Sequence, residues 1–165
     1  MVTGLAAGDH DVTLVLDFLN TLDIENRSDV LDDELTWHAW LADRGLAAGS
    51  GRAHARSARD SLRALVGDPG SGQIAVPRVS LQVEFQTGQP RLHAQDAVGA
   101  VLAAASRVAV LGEWERIKIC PADDCRWAFF DRSRNRSRTW CSMQVCGNRE
   151  KARVWRERTK ATAPR

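Results

Sequence analysis

The chain has 165 residues, of which 44% are hydrophobic and 27% charged, and its formal net charge is +2. This length allows one domain of about 110–120 residues and one smaller module, and no apolar run approaches the roughly 20 residues that would span a membrane. Residues 1–113 contain 9 Lys/Arg and 15 Asp/Glu, whereas residues 114–165 contain 14 and 6. An acidic body joined to a basic end is the asymmetry expected when one end meets a polyanion.

Hydrophobic periodicity predicts a mostly helical body with one small hairpin. In chain order we expect a helix over 14–22 started by Asp11 or Thr13, a helix from Asp32–Asp33 to Gly45, and a helix through Ala58 and Leu62 that ends at Gly67. Residues 79–85 alternate apolar and polar, which predicts a half-buried strand; residues 87–90 then turn the chain toward a partner strand near 91–94. Apolar residues from Val98 to Ala109 predict a last helix, which is closed by Gly112.

Catalytic chemistry is not predicted for this body. Its four histidines lack the spacing of a metal or catalytic site, and no phosphate loop or nucleophile elbow is present. We therefore expect no enzyme activity. A candidate ligand pocket or dimer surface consists of Asp17, Asn20, Trp37 and Trp40. For Asp17 and Asn20 the favoured alternative is helix capping or a buried hydrogen bond.

Four cysteines lie in the last third of the chain with the spacing C-x4-C-x15-C-x4-C. Two equal pairs suit one tetrahedral Zn²⁺, since each pair supplies two thiolates from one turn and the insert has room for a hairpin. Four protein ligands leave no position for water, so the predicted zinc is structural. Its ligands would be Cys120, Cys125, Cys141 and Cys146. The alternative is two disulfides, which the lack of a signal peptide in residues 1–11 and a reducing cytoplasm disfavour.

The residues around the cysteines resemble a known family. Three sequence motifs occur in order within residues 117–158: Cys120-Pro-Ala-Asp-Asp-Cys125, Trp127-Ala-Phe-Phe-Asp131 and Cys146-Gly-Asn-Arg149. This run closely resembles the CGNR zinc-finger family of bacterial proteins, in which the four cysteines are the zinc ligands. The segment Leu16-Asp-Phe-Leu-Asn-Thr21 is similar to the opening of the ABATE domain that usually precedes such a finger. The segment 67–72 looks shorter than the helical segment expected there, which implies a trimmed N-terminal domain. Members are described as stress-induced transcriptional regulators.

This resemblance and the predicted elements together imply an α+β fold. A mostly helical, ABATE-like N-terminal domain with a small β-hairpin, residues 1–113, is followed by a treble-clef-like four-cysteine zinc finger, residues 114–160, and a disordered tail, residues 161–165. Trp127 and Trp140 are expected in the small core of the finger, with stacking on unpaired bases as the alternative.

Basic side chains in the finger are candidate nucleic-acid contacts. Alternate arginines over 132–138 lie on one face if the chain is extended, whereas a bend at Asn135 would split them. We expect a helix that begins near Asn148 and is capped by that residue. Viewed along its axis, further basic residues of this helix lie within about 40° of one another, so they share one face. A less polar face with Trp155 is expected to pack on the finger or body. The candidates are Arg132, Arg134, Arg136, Arg138, Arg149, Arg153, Arg156 and Lys160. For the helix, the alternative is a solvated face on which Glu150 and Glu157 pair with arginines.

Two functions follow from these patterns. The first is a bacterial, cytoplasmic transcription regulator in which the finger binds DNA rather than RNA, while the body senses a small-molecule effector or forms a homodimer. The second is a non-enzymatic RNA- or protein-interaction module in which the finger is a structural clasp on the body. Arginines paired with body carboxylates such as Asp32, Asp33 or Asp43 would favour the clasp, and a continuous positive face would favour nucleic acid.

Overall fold

The computed structural model describes residues 7–49, 51–72, 78–86 and 88–162. The helices in these ranges are α1 (Ala7–Leu19), α2 (Glu34–Asp43), α3 (Gly51–Leu65), α4 (Ala97–Val110) and α5 (Asn148–Thr162). Three antiparallel pairs join β1 (Leu22–Asp23) to β2 (Ser28–Asp29), β3 (Leu81–Gln86) to β4 (Gln89–Ala94), and β5 (Ile117–Ile119) to β6 (Ala128–Phe130). The predicted α+β class is confirmed. None of the helices in the described ranges is long and apolar enough to cross a membrane.

The core of the body lies where α1 packs along α4. The helix α3 contacts both of them, and α2 adds Trp37, Trp40 and Leu41 to the same apolar cluster. Val15 and Phe18 of α1 and Val101 of α4 are fully buried, and each such side chain contributes about 1.5–3 kcal/mol relative to exposure. The helix α1 begins earlier than predicted, so Asp11 lies inside it rather than at its cap. The Asp11 carboxylate instead accepts hydrogen bonds of 2.8 and 2.6 Å from Arg107 of α4, which ties the two helices together.

The start of α2 agrees with the sequence prediction. The Asp33 carboxylate accepts hydrogen bonds from the backbone N–H groups of Leu35 and Thr36 at 2.9 and 3.0 Å, so it caps the helix. Gly45, with φ of 62°, follows the helix end, because glycine adopts this left-handed conformation at no steric cost.

The β3–β4 hairpin forms as predicted but is more exposed than its alternation indicates. Val83 pairs with Leu92 and Phe85 with Pro90, so the apolar side chains share one face. Val83 and Phe85 are nevertheless 59% and 77% exposed. Only the base of the hairpin packs on α4. An alternating pattern predicts that the apolar side chains share one face, but it does not predict whether another element covers that face. Thr87 of the predicted turn lies outside the described residues.

The β5–β6 hairpin belongs to the finger by sequence but packs into the core of the body. Ile117 and Ala128 are buried in the same cluster as Phe18. The side chain of Asn20 in addition pairs with the backbone of Ala128: its Nδ2 donates to the carbonyl at 2.9 Å, and its Oδ1 accepts from the N–H at 2.8 Å. The amide thus acts as a neighbouring strand would, and it holds the finger against α1.

Replacing Asn20 with alanine is expected to lower the free energy of unfolding by about 2–4 kcal/mol, because the N–H and the carbonyl of buried Ala128 would both lose their partner. Urea unfolding of the zinc-loaded protein measures this change. Asn26→Ala is the matched control, since the Asn26 side chain is exposed and donates only to Asp23; it should change stability by less than about 0.5 kcal/mol. Equal effects of the two substitutions would contradict the role given to Asn20.

Candidate metal centre and basic surface

The first cysteine pair lies in the loop between β5 and β6. The backbone N–H of Cys120 donates to the carbonyl of Trp127 at 2.9 Å, and that of Cys125 donates to Ala122 at 2.9 Å, so the loop folds into a tight turn. The cysteine spacing predicted a hairpin between the two cysteine pairs. The hairpin instead surrounds the first pair, because its first strand is the short segment Ile117–Ile119, which precedes Cys120.

The second pair lies at the start of α5. Cys141 precedes a π-helical turn, Met143–Gly147, which contains Cys146 and continues into the helix. The helix therefore begins at Asn148 as predicted, but Asn148 does not cap it. The Asn148 side chain donates to the carbonyl of Gln144 at 3.1 Å, and the capping residue is Ser142, whose hydroxyl accepts from the N–H of Val145.

The four sulfur atoms form one compact cluster. All of them lie within 4.8 Å of one another, with Sγ–Sγ distances of 3.5 Å for Cys125–Cys141 and 3.6 Å for Cys141–Cys146. A tetrahedron with Zn–S bonds of about 2.3 Å has S–S edges of about 3.8 Å, whereas a disulfide requires about 2.05 Å. The cluster therefore fits one structural Zn²⁺ held by Cys120, Cys125, Cys141 and Cys146, and all four cysteines are free of disulfides.

The surroundings of the thiols also fit a cation. Burial raises the pKa of the Cys125 thiol to about 11 and raises that of Cys141 as well. Burial opposes ionisation of Cys120 too, but N–H groups of Cys141 and Ala122 outweigh it and hold its pKa below the ordinary value. Four thiolates this close together require a dication between them.

The apolar core of the finger is too small to hold it together. Phe129 is its only large buried side chain in the described residues, and Trp140 packs half-buried beside the cysteines. Trp127, expected in this core, is 38% exposed and lies outside the cluster. Metal binding is therefore the main source of order around the second cysteine pair.

The arginine run 132–138 bends instead of forming one extended ridge. Its turn is organised by Asp131, a fully buried residue whose carboxylate accepts from the N–H and hydroxyl of Ser133, the N–H of Arg138 and the Nζ of Lys118. Burial opposes its ionisation, but these hydrogen bonds hold the pKa of the Asp131 carboxyl well below its usual range. Arg136 adopts a φ of 51° in this turn. The ridge is split, as the bent alternative predicted.

Several of the candidate arginines have carboxylate partners. Arg132 pairs with Asp9 at 3.3 Å, Arg136 with Glu115 at 2.9 Å, Arg149 with Glu25 at 3.0 Å and with Asp124, and Arg153 with Glu150 and with Glu157 at 2.7 Å. The pairs of Arg153 are those of the solvated-face alternative. Arg138 donates to the carbonyls of Trp140 and Cys141, so its role is partly structural.

The remaining basic candidates are more available for contact with nucleic acid. Among the described residues, Arg134 and Arg156 are exposed and have no carboxylate partner. The side chain of Lys160 lies outside the described residues. Of the body carboxylates named for a clasp, Asp32 binds Arg56 and Asp33 caps α2, so these two act within the body. Contacts of the predicted clasp exist elsewhere: Arg132 binds Asp9 and Arg149 binds Glu25, both carboxylates of the body, and Asn20 binds Ala128.

One exposed face of α5 was assigned wrongly from the sequence. Trp155, expected to pack on the finger or body, is 68% exposed and borders a groove of about 290 Å³ together with Lys151 and Arg158. These two residues lie four before and three after Trp155, hence on the same face. That spacing was the signal in the sequence for a mixed aromatic and basic surface.

The predicted pocket residues border a cleft between the body and the finger. Asp17, Asn20 and Trp40 line a space of about 550 Å³. Trp37 does not line it, because it is buried behind Trp40, with the two rings stacked at 5.1 Å. Asp17 accepts from Arg44 at 2.8 and 3.2 Å. The ligand role of these residues stays a prediction.

Comparison with known proteins agrees with this layout. The ABATE family, described as "Putative stress-induced transcription regulator", matches residues 13–128. The CGNR zinc finger family matches residues 116–159. The two matches overlap at residues 116–128, which contain β5, the first cysteine pair and the first residue of β6. No curated protein matches the chain.

Proposed function

Because the chain belongs to the ABATE family and contains a CGNR zinc finger, we propose that it is a transcription regulator that binds DNA through the finger. The observation that supports this most is the exposure of α5. From Lys151 to Thr159 every side chain except Val154 is exposed. A helix that projects from a metal-held base is the form in which many proteins enter a DNA groove.

The length of α5 favours duplex DNA over RNA. Its 15 residues extend over about 22 Å at 1.5 Å per residue, and the major groove of B-DNA admits a helix whereas that of RNA is deep and narrow. The exposed side chains at Arg156 and Trp155 would then face the groove or its phosphates.

The ion pairs of the finger do not prevent phosphate binding. Arg132 is 68% exposed and contacts a single carboxylate, at 3.3 Å. Exposed pairs of this kind contribute no more than about 1 kcal/mol. A phosphate can therefore replace the carboxylate. With Arg134 and Arg156, which need no such exchange, this gives three phosphate contacts that cost little to form.

Binding of duplex DNA is expected to weaken with salt. For about three to five phosphate contacts, the slope of log K against log salt should lie near −3 to −4.5. Replacing Arg134 and Arg156 together with alanine should flatten it by up to about 2 units, equally for all sequences. Fluorescence anisotropy between about 50 and 200 mM salt measures both slopes, because the affinity that phosphate contacts supply falls strongly over this range.

Arg91→Ala is the control for overall charge, because Arg91 is exposed on the hairpin of the body. A control slope as flat as that of the double variant would place the contact outside the finger. Failure of the wild-type protein to bind DNA or RNA at the lowest salt would overturn the proposal in favour of a protein-interaction module.

A second candidate function is the clasp, and the hydrogen bonds of Asn20 to Ala128 are the observation that favours it. Preference for single-stranded RNA over duplex DNA in the same assay would support an RNA module. The homodimer and the cytoplasmic location stay predictions.

A further inference from the structure

The cleft between the body and the finger has the dimensions of a small-molecule site. Its volume is about 550 Å³, within the range of about 300–1,000 Å³ that is usual for ligand pockets. Leu16 and Val30 lie on the side of the body, and the rings of Trp127, Phe129 and Phe130 lie on the side of the finger. Such a wall suits a flat apolar body, which can contact both sides at once.

The charged residues of the cleft are mostly positive. Three arginines line it against the one carboxylate of Asp17. Arg44 is already satisfied: its guanidinium binds Asp17 and the carbonyl of Trp40 and lies 4.3 Å from the centroid of the Trp40 ring. The excess positive charge therefore resides on Arg132 and Arg138.

Both of these guanidinium groups lie over aromatic rings at the cleft. Arg138 lies 4.9 Å from the centroid of Phe129 and donates to backbone carbonyls through Nε and Nη2, so no described contact uses its Nη1. Arg132 lies 5.6 Å from the centroid of Phe130 and contacts only Asp9 among carboxylates in the described residues. Two partly available cations beside an aromatic wall favour a ligand that is both anionic and planar.

We propose that the cleft binds a small aromatic carboxylate, with its ring against Trp127 and its carboxylate at Arg132 and Arg138. A carboxylate matches the planar fork of N–H donors of a guanidinium group, and a phosphate lacks the flat apolar body that the exposed ring of Trp127 would contact. The site does not require nucleic-acid binding. Because Arg132 is also one of the proposed phosphate contacts, a carboxylate ligand and a DNA phosphate would compete for this side chain.

The test uses naphthoate, its neutral amide and inorganic phosphate as probes with the zinc-loaded full chain. Isothermal titration should give saturable one-to-one binding of naphthoate at millimolar concentration or below. The amide should bind at least about tenfold more weakly, since charge-assisted hydrogen bonds would be lost. Phosphate should not compete with naphthoate at equal concentration, because it has no apolar body.

Two variants locate the site. Arg132→Gln should weaken naphthoate about tenfold and leave the amide unchanged, whereas Trp127→Ala should weaken both probes. Arg134→Gln is the matched control, because it removes the same charge two residues away and Arg134 does not line the cleft. Zinc content should be unchanged in all three variants.

Three results would overturn the proposal. These are no saturable binding of naphthoate, equal affinity for naphthoate and its amide, and an Arg134→Gln effect as large as that of Arg132→Gln. The last would show a general electrostatic attraction in place of a site.

Discussion

Replacing Cys146 with serine is expected to abolish stoichiometric zinc binding and to unfold the finger. The sulfur of Cys146 lies 3.6 Å from that of Cys141, and a structural Zn²⁺ of this kind contributes about 10–16 kcal/mol to folding at neutral pH. Losing one of four thiolates should remove a large part of this free energy. Elemental analysis of the purified protein should give one zinc per chain for the wild type and much less for the variant.

The effect should reach the body as well. Ile117 and Ala128 of the β5–β6 hairpin are buried in the core that contains Phe18, so disorder of the finger would expose part of that core. We therefore expect the thermal unfolding midpoint of the helices to fall together with the loss of zinc. Circular dichroism reports the helices, and the fluorescence of the tryptophans reports the packing.

Cys146→His is the matched control, because histidine is also a zinc ligand whereas serine is a poor one. It should retain more zinc and more stability than the serine variant. A serine variant with full zinc content and an unchanged unfolding midpoint would contradict the assignment of Cys146 as a ligand.

Replacing Arg63 with methionine is expected to lower the free energy of unfolding by about 3–5 kcal/mol, since it would leave a buried carboxylate without one of its two guanidinium partners. The side chains of Arg63 and Asp68 are both fully buried, with Nε 2.6 Å from Oδ2. Arg63 also donates to the carbonyls of Leu19 and Arg126 at 2.8 Å each. One side chain thus joins α1, α3 and the turn of the first cysteine pair.

The electrostatics of this pair support its importance. Burial opposes ionisation of Asp68, but hydrogen bonds from the N–H of Gly70 and from Arg63 outweigh it and hold the pKa of the carboxyl below its ordinary value. Arg126 adds a second contact to Asp68 at 2.6 Å. Removing Arg63 leaves that carboxylate charged and buried with a single guanidinium beside it.

Arg56→Met on the same helix is the control. Arg56 is 39% exposed and its partner Asp32 is exposed, whereas the side chain of its second partner Asp29 is buried but keeps Arg59 as a partner. Exposed pairs contribute about 1 kcal/mol or less. Urea unfolding of both zinc-loaded variants compares the two losses directly. A loss for Arg63→Met no larger than that for Arg56→Met would show that the buried pair is not needed to hold the finger on the body.

The sequence by itself determined the features that depend on residues close together in the chain. The spacing of the four cysteines predicted the zinc site because each pair closes a short turn, and turn length is a local property. Asp33 predicted the start of α2, since a capping side chain binds backbone groups two and three residues on. Alternation in 79–85 predicted a strand and the face that its apolar side chains share.

Contacts between distant residues were decided only by the tertiary structure. The role of Asn20 depends on Ala128, and that of Arg63 on Arg126, partners that no periodicity in the sequence brings together. The bend of the arginine run depends on Asp131, whose burial and bond to Lys118 arise from the pairing of β5 with β6. The exposure of Trp155 is also a tertiary outcome, because an apolar side chain on a helix is buried only if another element lies over it.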